Sequence, residues 1–182
     1  KDVGNMEELH VVMISDLHLG DLIDARRLEK IAAIINGLNP DIVLLPGDIV
    51  QEVELLQDNG IIKAFGLIKP ELGMYACLGN HEYYGGLVHE TVENLEQAGI
   101  RVLRDSYVKV AESFYLVGRE EQSRGWFGGP NHKSMAEVLT GVDKSLPVIL
   151  LNHQPVDLNT AKDEGIDLQL SGHTHNGQVF PA

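Results

Sequence analysis

A single cysteine, Cys77, rules out an internal disulfide. It lies in the apolar run Met74–Leu78 with neither His nor Lys beside it, so a small buried side chain is expected rather than a reactive thiol. Positive charge is also scarce: 14 Lys and Arg face 27 Asp and Glu, a net charge of −13. Nucleic-acid binders neutralise phosphates with clustered Lys and Arg. The longest basic stretch here is Arg26-Arg27, followed at once by Glu29. Broad attraction to nucleic acid or to an anionic membrane is therefore disfavoured. No apolar run reaches the ~18–20 residues that span a bilayer, and no charged-then-apolar signal segment opens the chain. The chain starts at Lys1 rather than Met, which leaves open a signal or anchor removed from upstream. Low-complexity tracts are absent too. With 43% of 182 residues apolar, disorder is not expected, and one domain spanning 1–182 is the expected organisation.

What is present is a rhythm of short apolar runs at strand length: Leu9–Ser15, Asp41–Leu45, Met74–Leu78, Phe114–Val117, Val148–Asn152 and Leu168–Ser171. Longer segments with helical spacing separate the first three. In Asp24–Leu38 the residues Leu28, Ile31, Ile34, Ile35 and Leu38 fall on one face, with Asp24 as N-cap. Asn39-Pro40 stops that helix. Val53–Ile68 and Leu87–Ala98 read as two more helices, the second ended by Gly99. This alternation predicts βαβ units and a largely parallel sheet. After Gly99, the runs Val102-Leu103, Tyr107–Val110 and Phe114–Val117 leave no room for crossover helices and predict partly antiparallel pairing. Met135–Leu139 reads as a short helix, and Gly125–Pro130 as a glycine-rich loop.

The chemistry stands at the strand ends. The first strand runs into Asp16-Leu17-His18, the second into Gly47-Asp48, and the third into Gly79-Asn80-His81. The last two end in Asn152-His153 and Gly172-His173-Thr174-His175. Open α/β sheets bind ligands outside the carboxyl ends of their strands, so five strands deliver Asp, Asn or His to one rim. Asp16 and His18 are two apart, and in extended backbone both point the same way. Imidazole mixed with carboxylate suits Mn, Fe, Zn or Co better than Ca or Mg. Seven candidate ligands (Asp16, His18, Asp48, Asn80, His153, His173, His175) exceed the needs of one ion and suit two sharing a bridging carboxylate. Such a pair lowers the pKa of a bridging water, binds phosphate oxygens and offsets charge during in-line attack. Bound divalent ions would leave the site net positive inside an acidic protein, able to attract an anionic substrate.

Those five blocks, with Glu82 following His81, resemble the signature blocks of the calcineurin-like metallophosphoesterase superfamily, in its order and with comparable spacing from residue 15 to 175. The resemblance implies an α/β fold, a two-sheet sandwich of mixed parallel and antiparallel strands flanked by helices. It implies one metal on Asp16, His18 and His175, another on Asn80, His153 and His173, and Asp48 between them. His81 resembles the family's non-ligand histidine, which contacts substrate and protonates the leaving oxygen; a histidine that only orients a ligand is the plainer reading. The implied activity is phosphoester hydrolysis, foremost of diesters, by a hydroxide bridging two divalent ions, Mn foremost. Phosphomonoester or phosphoprotein hydrolysis, or a non-catalytic scaffold, are the alternatives. Within the superfamily, Ser15–Gly20, Gly79–Tyr84 and Gly172–Pro181 are most similar to bacterial phosphodiesterases acting at or near the membrane, among them hydrolases of lipid-linked nucleotide pyrophosphates. A nucleotide- or lipid-linked phosphate ester is thus the implied partner, with the full-length protein cytoplasmic, or peripheral to or anchored at a membrane. Members usually continue through further strands of the second sheet after the last block, so a chain ending at Ala182 is expected to lack them.

Other residues are less decided. Tyr83 and Tyr84 either line the substrate path or pack on the helix that follows, and Trp126-Phe127 forms either a lid or ordinary loop packing. His10, His89 and His132 belong to no block.

Overall fold

The computed structural model describes residues 1, 6–20, 23–51, 59–84, 86–122, 125 and 132–175. Among the described residues, eight strands form two four-stranded sheets. The first carries β1 (Val11–Met13), β2 (Ile42–Pro46), β3 (Met74–Cys77) and β4 (Ile100–Val102) in spatial order, all parallel. The second carries β5 (Ser106–Val110), β6 (Phe114–Gly118), β7 (Val148–Leu151) and β8 (Leu168–Leu170). In the second sheet β5 and β6 pair antiparallel, and β6, β7 and β8 run parallel. The strands packed closely in sequence thus divide: β4 closes the first sheet, and β5–β6 form a hairpin that opens the second. At its turn Ala111 and Glu112 sit at φ 49° and 55°, and Ser113 N–H donates to the Val110 carbonyl at 3.0 Å. Positive φ at both central residues matches the twist of a tight hairpin.

Period-two alternation sorts the strand residues into layers. Val43 and Leu45 of β2 face helix α1 (Ala25–Gly37), meeting Leu28, Ala32 and Ile35. Ile42 and Leu44 point the other way, into the space between the sheets, with Cys77, Leu116, Ile149 and Leu151. On the far side, Val117, Val148 and Leu150 pack on α4 (Met135–Val138) and α5 (Leu158–Asp163) through Met135, Val138 and Ala161. The result is helices, sheet, sheet, helices. Each fully buried Leu or Ile contributes roughly 1.5–3 kcal/mol. Cys77 is wholly buried between the sheets, and burial raises its thiol pKa well above the ordinary value.

Local signals explain several helix ends. The Asp24 carboxylate accepts the Arg27 N–H at 2.9 Å and caps α1. Helix α3 (Val88–Gln97) ends before Gly99, at φ 85°. Ser134 and Glu137 form a reciprocal capping box at α4. Two expectations need correction. Ile34 is 66% exposed and Leu38 also faces out, because Ala32 takes the centre of the buried stripe and pulls it off those two positions. Helix α2 spans Asn59–Phe65, short of Ile68: the chain turns at Gly66–Ile68, where Ile68 N–H bonds back to Phe65. The start expected at Val53 lies outside the described residues, as do Trp126-Phe127 and positions 176–181.

At the carboxyl end, ion pairs tie the sheets together. Arg119, just after β6, pairs with Asp105, just after β4, at 3.0 Å, both buried. Beside them Arg104 pairs with Glu120 at 2.9 Å, and Glu120 also accepts the buried Tyr83 hydroxyl. A buried pair of this kind stabilises only while both partners remain.

Candidate metal centre

The loops leaving the strands continue the strands' pairing. Asp16 N–H donates to Gly47 O (3.2 Å), His18 N–H to Asp48 O (3.0 Å) and Leu19 N–H to Ile49 O (2.9 Å). Gly172 N–H donates to His153 O at 2.9 Å, and His173 N–H to Asp16 Oδ1 at 2.9 Å. The first block is therefore stitched to the second, and the fourth to the fifth, through backbone groups, and the Asp16 carboxylate joins the two pairs.

The third block is held by Glu82. This carboxylate is fully buried and accepts four backbone N–H groups: Asp48 (3.0 Å), Ile49 (2.7 Å), Val50 (3.0 Å) and Gly79 (2.6 Å). Burial pushes its pKa up, to about 7, against those donors and with the help of the Asp48 charge. Tight approach explains the glycines. A Cβ at Gly79 would overlap Asp48 Oδ1, one at Gly172 would overlap Ser15 Oγ, and one at Gly47 would come within 2.5 Å of His153 Nδ1. Five candidate ligands occupy left-handed backbone: Asp16 (φ 55°), His18 (45°), Asp48 (50°), His173 (70°) and His175 (47°). Left-handed backbone away from glycine is costly and collects at functional sites. The extended geometry expected for Asp16 and His18 is thus corrected. They converge because the chain turns sharply at both, not because a strand alternates.

Two groups of donor atoms result. Asp16, His18, Asp48 and His175 form one; Asp48, His153 and His173 form the other; within each, the atoms lie within 4.8 Å of one another. Asp48 belongs to both. Across the first, His18 Nε2 is 3.1 Å from His175 Nε2, which is 3.4 Å from Asp16 Oδ1; His18 Nε2 is 3.8 Å from Asp48 Oδ2. Across the second, His153 Nε2 is 3.2 Å from Asp48 Oδ2, and His173 Nδ1 is 3.3 Å from His153 Nε2. Asn80 Oδ1 joins it 3.1 Å from His173 Nδ1. Donors held about 2.1 Å from an ion stand roughly 3.0–3.4 Å apart at adjacent octahedral or tetrahedral corners. Most of these separations fall in that range, and the set of imidazole, carboxylate and amide oxygen fits a divalent transition metal.

Neighbours fix the ring orientations. His153 Nδ1 is 2.8 Å from the Pro46 carbonyl, so it carries a proton there and Nε2 faces Asp48. His18 Nδ1 meets Gln51 Oε1 at 3.0 Å in the same manner. Burial lowers the pKa of His153, but the hydrogen bond and charge of Asp48 outweigh it and raise it to about 9. Burial raises Asp48 in turn, and His153 and the His81 N–H bring it below the ordinary carboxylate value.

His81 stands beside the groups and in neither. Its Nε2 is 4.0 Å from Asp48 Oδ2, its Nδ1 is buried with no hydrogen-bond partner among the described residues, and burial lowers its pKa. Tyr84, 46% exposed, packs its ring on His81 at 4.7 Å, and its hydroxyl accepts the Asn80 amide N–H at 2.8 Å. Tyr83 turns inward instead, to Glu120 and Arg104. Of the other histidines, His10 meets Glu8, His89 meets Glu93 and His132 meets Arg119, all away from the groups. The supporting roles of Glu82, Gln51 and the Pro46 carbonyl carry no sequence signal beyond the position of Glu82 next to His81.

A two-sheet α/β sandwich with clustered His, Asp and Asn at the strand ends is the architecture of metal-dependent phosphoesterases. Residues 9–177 match the calcineurin-like phosphoesterase family model, and the chain belongs to that family. It is 34% identical to a transmembrane protein with metallophosphoesterase domain from Danio rerio, over 97% of this chain and 42% of that protein. It is also 34% identical to a metallophosphoesterase of Aquifex aeolicus, over 95% of this chain and 65% of that one. The chain thus spans about two fifths to two thirds of these relatives' length. A UDP-2,3-diacylglucosamine pyrophosphatase of Chlamydia muridarum shares 24% identity over 98% of this chain and 67% of its own length. Among solved structures, the Haemophilus influenzae NAD nucleotidase superposes with a TM-score of 0.59 at 18% identity, covering 92% of this chain and 38% of that one. The Thermus thermophilus protein TT1561 gives 0.58 at 13%, covering 90% and 80%. At such identities these two show the shared fold.

Proposed function

We propose that this chain is a hydrolase of phosphate esters that works with two divalent metal ions, and that its substrates are phosphodiesters or pyrophosphates. The observation that carries this reading is the shared Asp48 carboxylate, which belongs to both donor groups and meets His153 on one side and His18 on the other. Asp16, His18 and His175 would hold one ion, Asn80, His153 and His173 the other. Bound there, two ions would supply the Lewis acidity and the activated water that in-line attack on phosphorus needs. Mn is the first candidate; Fe, Zn and Co suit the same donors. Asp48 sets the spacing between the groups. His81, beside Asp48 and partly open to solvent, is placed to carry a proton to the departing ester oxygen. Burial lowers the pKa of the free imidazole, and the charge of an anionic substrate would favour its protonated form.

The pyrophosphatase named among the relatives supports diester or pyrophosphate chemistry. The transmembrane relatives support a membrane-proximal setting for the full-length protein, although no helix among the described residues is long and apolar enough to cross a bilayer. Purified protein supplied with Mn²⁺ is expected to hydrolyse bis-p-nitrophenyl phosphate and to lose that activity on chelation. Activity that survives thorough metal removal would overturn the mechanism. Parallel assays with a monoester and a nucleotide pyrophosphate separate the substrate classes: faster monoester turnover would favour a phosphomonoesterase, and no turnover of any would favour a scaffold.

A further inference from the structure

We infer that Glu82 is a positioning residue whose carboxylate clamps the loop bearing Asp48 to the loop bearing Asn80 and His81, and so sets the distance between the shared donor Asp48 and Asn80 of the second group. The inference rests on the metal-centre reading above and adds a residue outside both groups. Each oxygen of Glu82 takes two backbone donors. Oε1 receives Ile49 and Val50; Oε2 receives Asp48 and Gly79. The N–H groups of Asp48 and Gly79 therefore meet on one atom, and a move of either loop breaks a bond there. Asp48 Oδ1 closes the ring by accepting the His81 N–H at 3.0 Å. Among the described residues, none of the hydrogen-bond partners of Glu82 is a side chain, so its carboxyl oxygens are answered by the backbone of the two ligand loops. Full burial makes the arrangement rigid, because water cannot replace a lost donor.

Glutamine in this place offers one acceptor oxygen and an NH₂ group that faces two N–H donors. Glu82→Gln is thus expected to free one donor pair while keeping the volume. Mn²⁺ titration calorimetry on stripped protein is expected to show at least tenfold weaker binding for Glu82→Gln. Leu116→Ala, a cavity in the core between the sheets, serves as the control: it lowers the melting temperature and leaves Mn²⁺ affinity as in the wild type. Wild-type affinity in Glu82→Gln, or an equal loss in the control, would overturn the inference. Absence of Mn²⁺ binding by the wild type would instead sink the metal-centre reading beneath it. Should Glu82→Gln not fold, amide exchange on the stripped wild type decides. The N–H groups of Asp48, Ile49, Val50 and Gly79 are expected to be protected before metal is added, and unprotected exchange there would refute the clamp.

Discussion

His153 presents Nε2 to Asp48 Oδ2 at 3.2 Å while its Nδ1 proton is committed to the Pro46 carbonyl. A neutral ring would thus aim a lone pair at a carboxylate, and a cation must lie between them. In the absence of metal that cation is a proton, which is why the His153 pKa rises to about 9. The sign follows from linkage. A group whose folded pKa lies above its ordinary value of 6.5 adds stability that is complete below 6.5 and is lost as pH rises through about 9. Chelator-stripped protein is therefore expected to melt at progressively lower temperature between pH 6.5 and 9. Metal takes the proton's place, so Mn²⁺ added at pH 7.5 is expected to release a proton, read from calorimetry in buffers of different ionisation enthalpy. A flat melting temperature across that window would contradict the pairing.

Asp48 and His81 sit side by side but should fail differently. Removing Asp48 takes a donor from both groups, so Asp48→Ala is expected to lose most bound metal, measured by elemental analysis after dialysis. His81 belongs to neither group, and His81→Ala is expected to keep its metal while kcat falls roughly 10²–10⁴-fold, the usual worth of a positioned proton donor. Unchanged turnover in His81→Ala would remove that role.

Much of this was legible in the sequence, and for identifiable reasons. Strand and helix periods placed the βα units, and Asp24 and Gly99 marked element ends through capping chemistry that acts locally. The donor residues were legible because each follows directly on an apolar strand. Two things were not. Which sheet each strand after Gly99 would join depends on long-range pairing, so β4 could not be separated from the β5–β6 hairpin by pattern. Ile34 and Leu38 misled because apolar residues flanking a helical stripe look like the stripe itself, and small Ala32 gave no signal that it held the centre. The left-handed backbone at Asp16 and His18 was equally silent, since Asp and His enter that region only when surrounding contacts hold them there.

Tyr84 touches the centre without belonging to either group. Its hydroxyl accepts the Asn80 amide N–H, which leaves the Asn80 carbonyl oxygen on the His173 side. Tyr84→Phe keeps the ring on His81 and deletes this bond. A net hydrogen bond is worth about 0.5–1.5 kcal/mol, so Mn²⁺ affinity at the Asn80 group is expected to weaken about two- to tenfold. Because Tyr84 is half exposed, the melting temperature of stripped protein should stay the same. A drop in stability with unchanged metal affinity would mean that the tyrosine packs and does no more.

Two glycines give opposite expectations for one change. Gly37 ends α1, and a methyl group added to its Cα would meet nothing within 4 Å. Alanine there restricts the unfolded chain and suits the helix, so Gly37→Ala is expected to stabilise by about 0.5–1 kcal/mol, which is roughly 1–4 °C for a chain of this size. At Gly79 the same methyl would overlap Asp48 Oδ1 and stand 2.5 Å from Asp48 N. Neither atom can retreat, since Asp48 N–H is bound to Glu82 and Asp48 Oδ1 to the His81 N–H. Gly79→Ala must therefore push the second and third loops apart and carry Asn80 away from His173. Loss of Mn²⁺ binding together with a lower melting temperature is expected, against a gain in melting temperature and intact binding for Gly37→Ala. If Gly79→Ala bound Mn²⁺ as tightly as the wild type, the two loops would not need their present contact to assemble the centre.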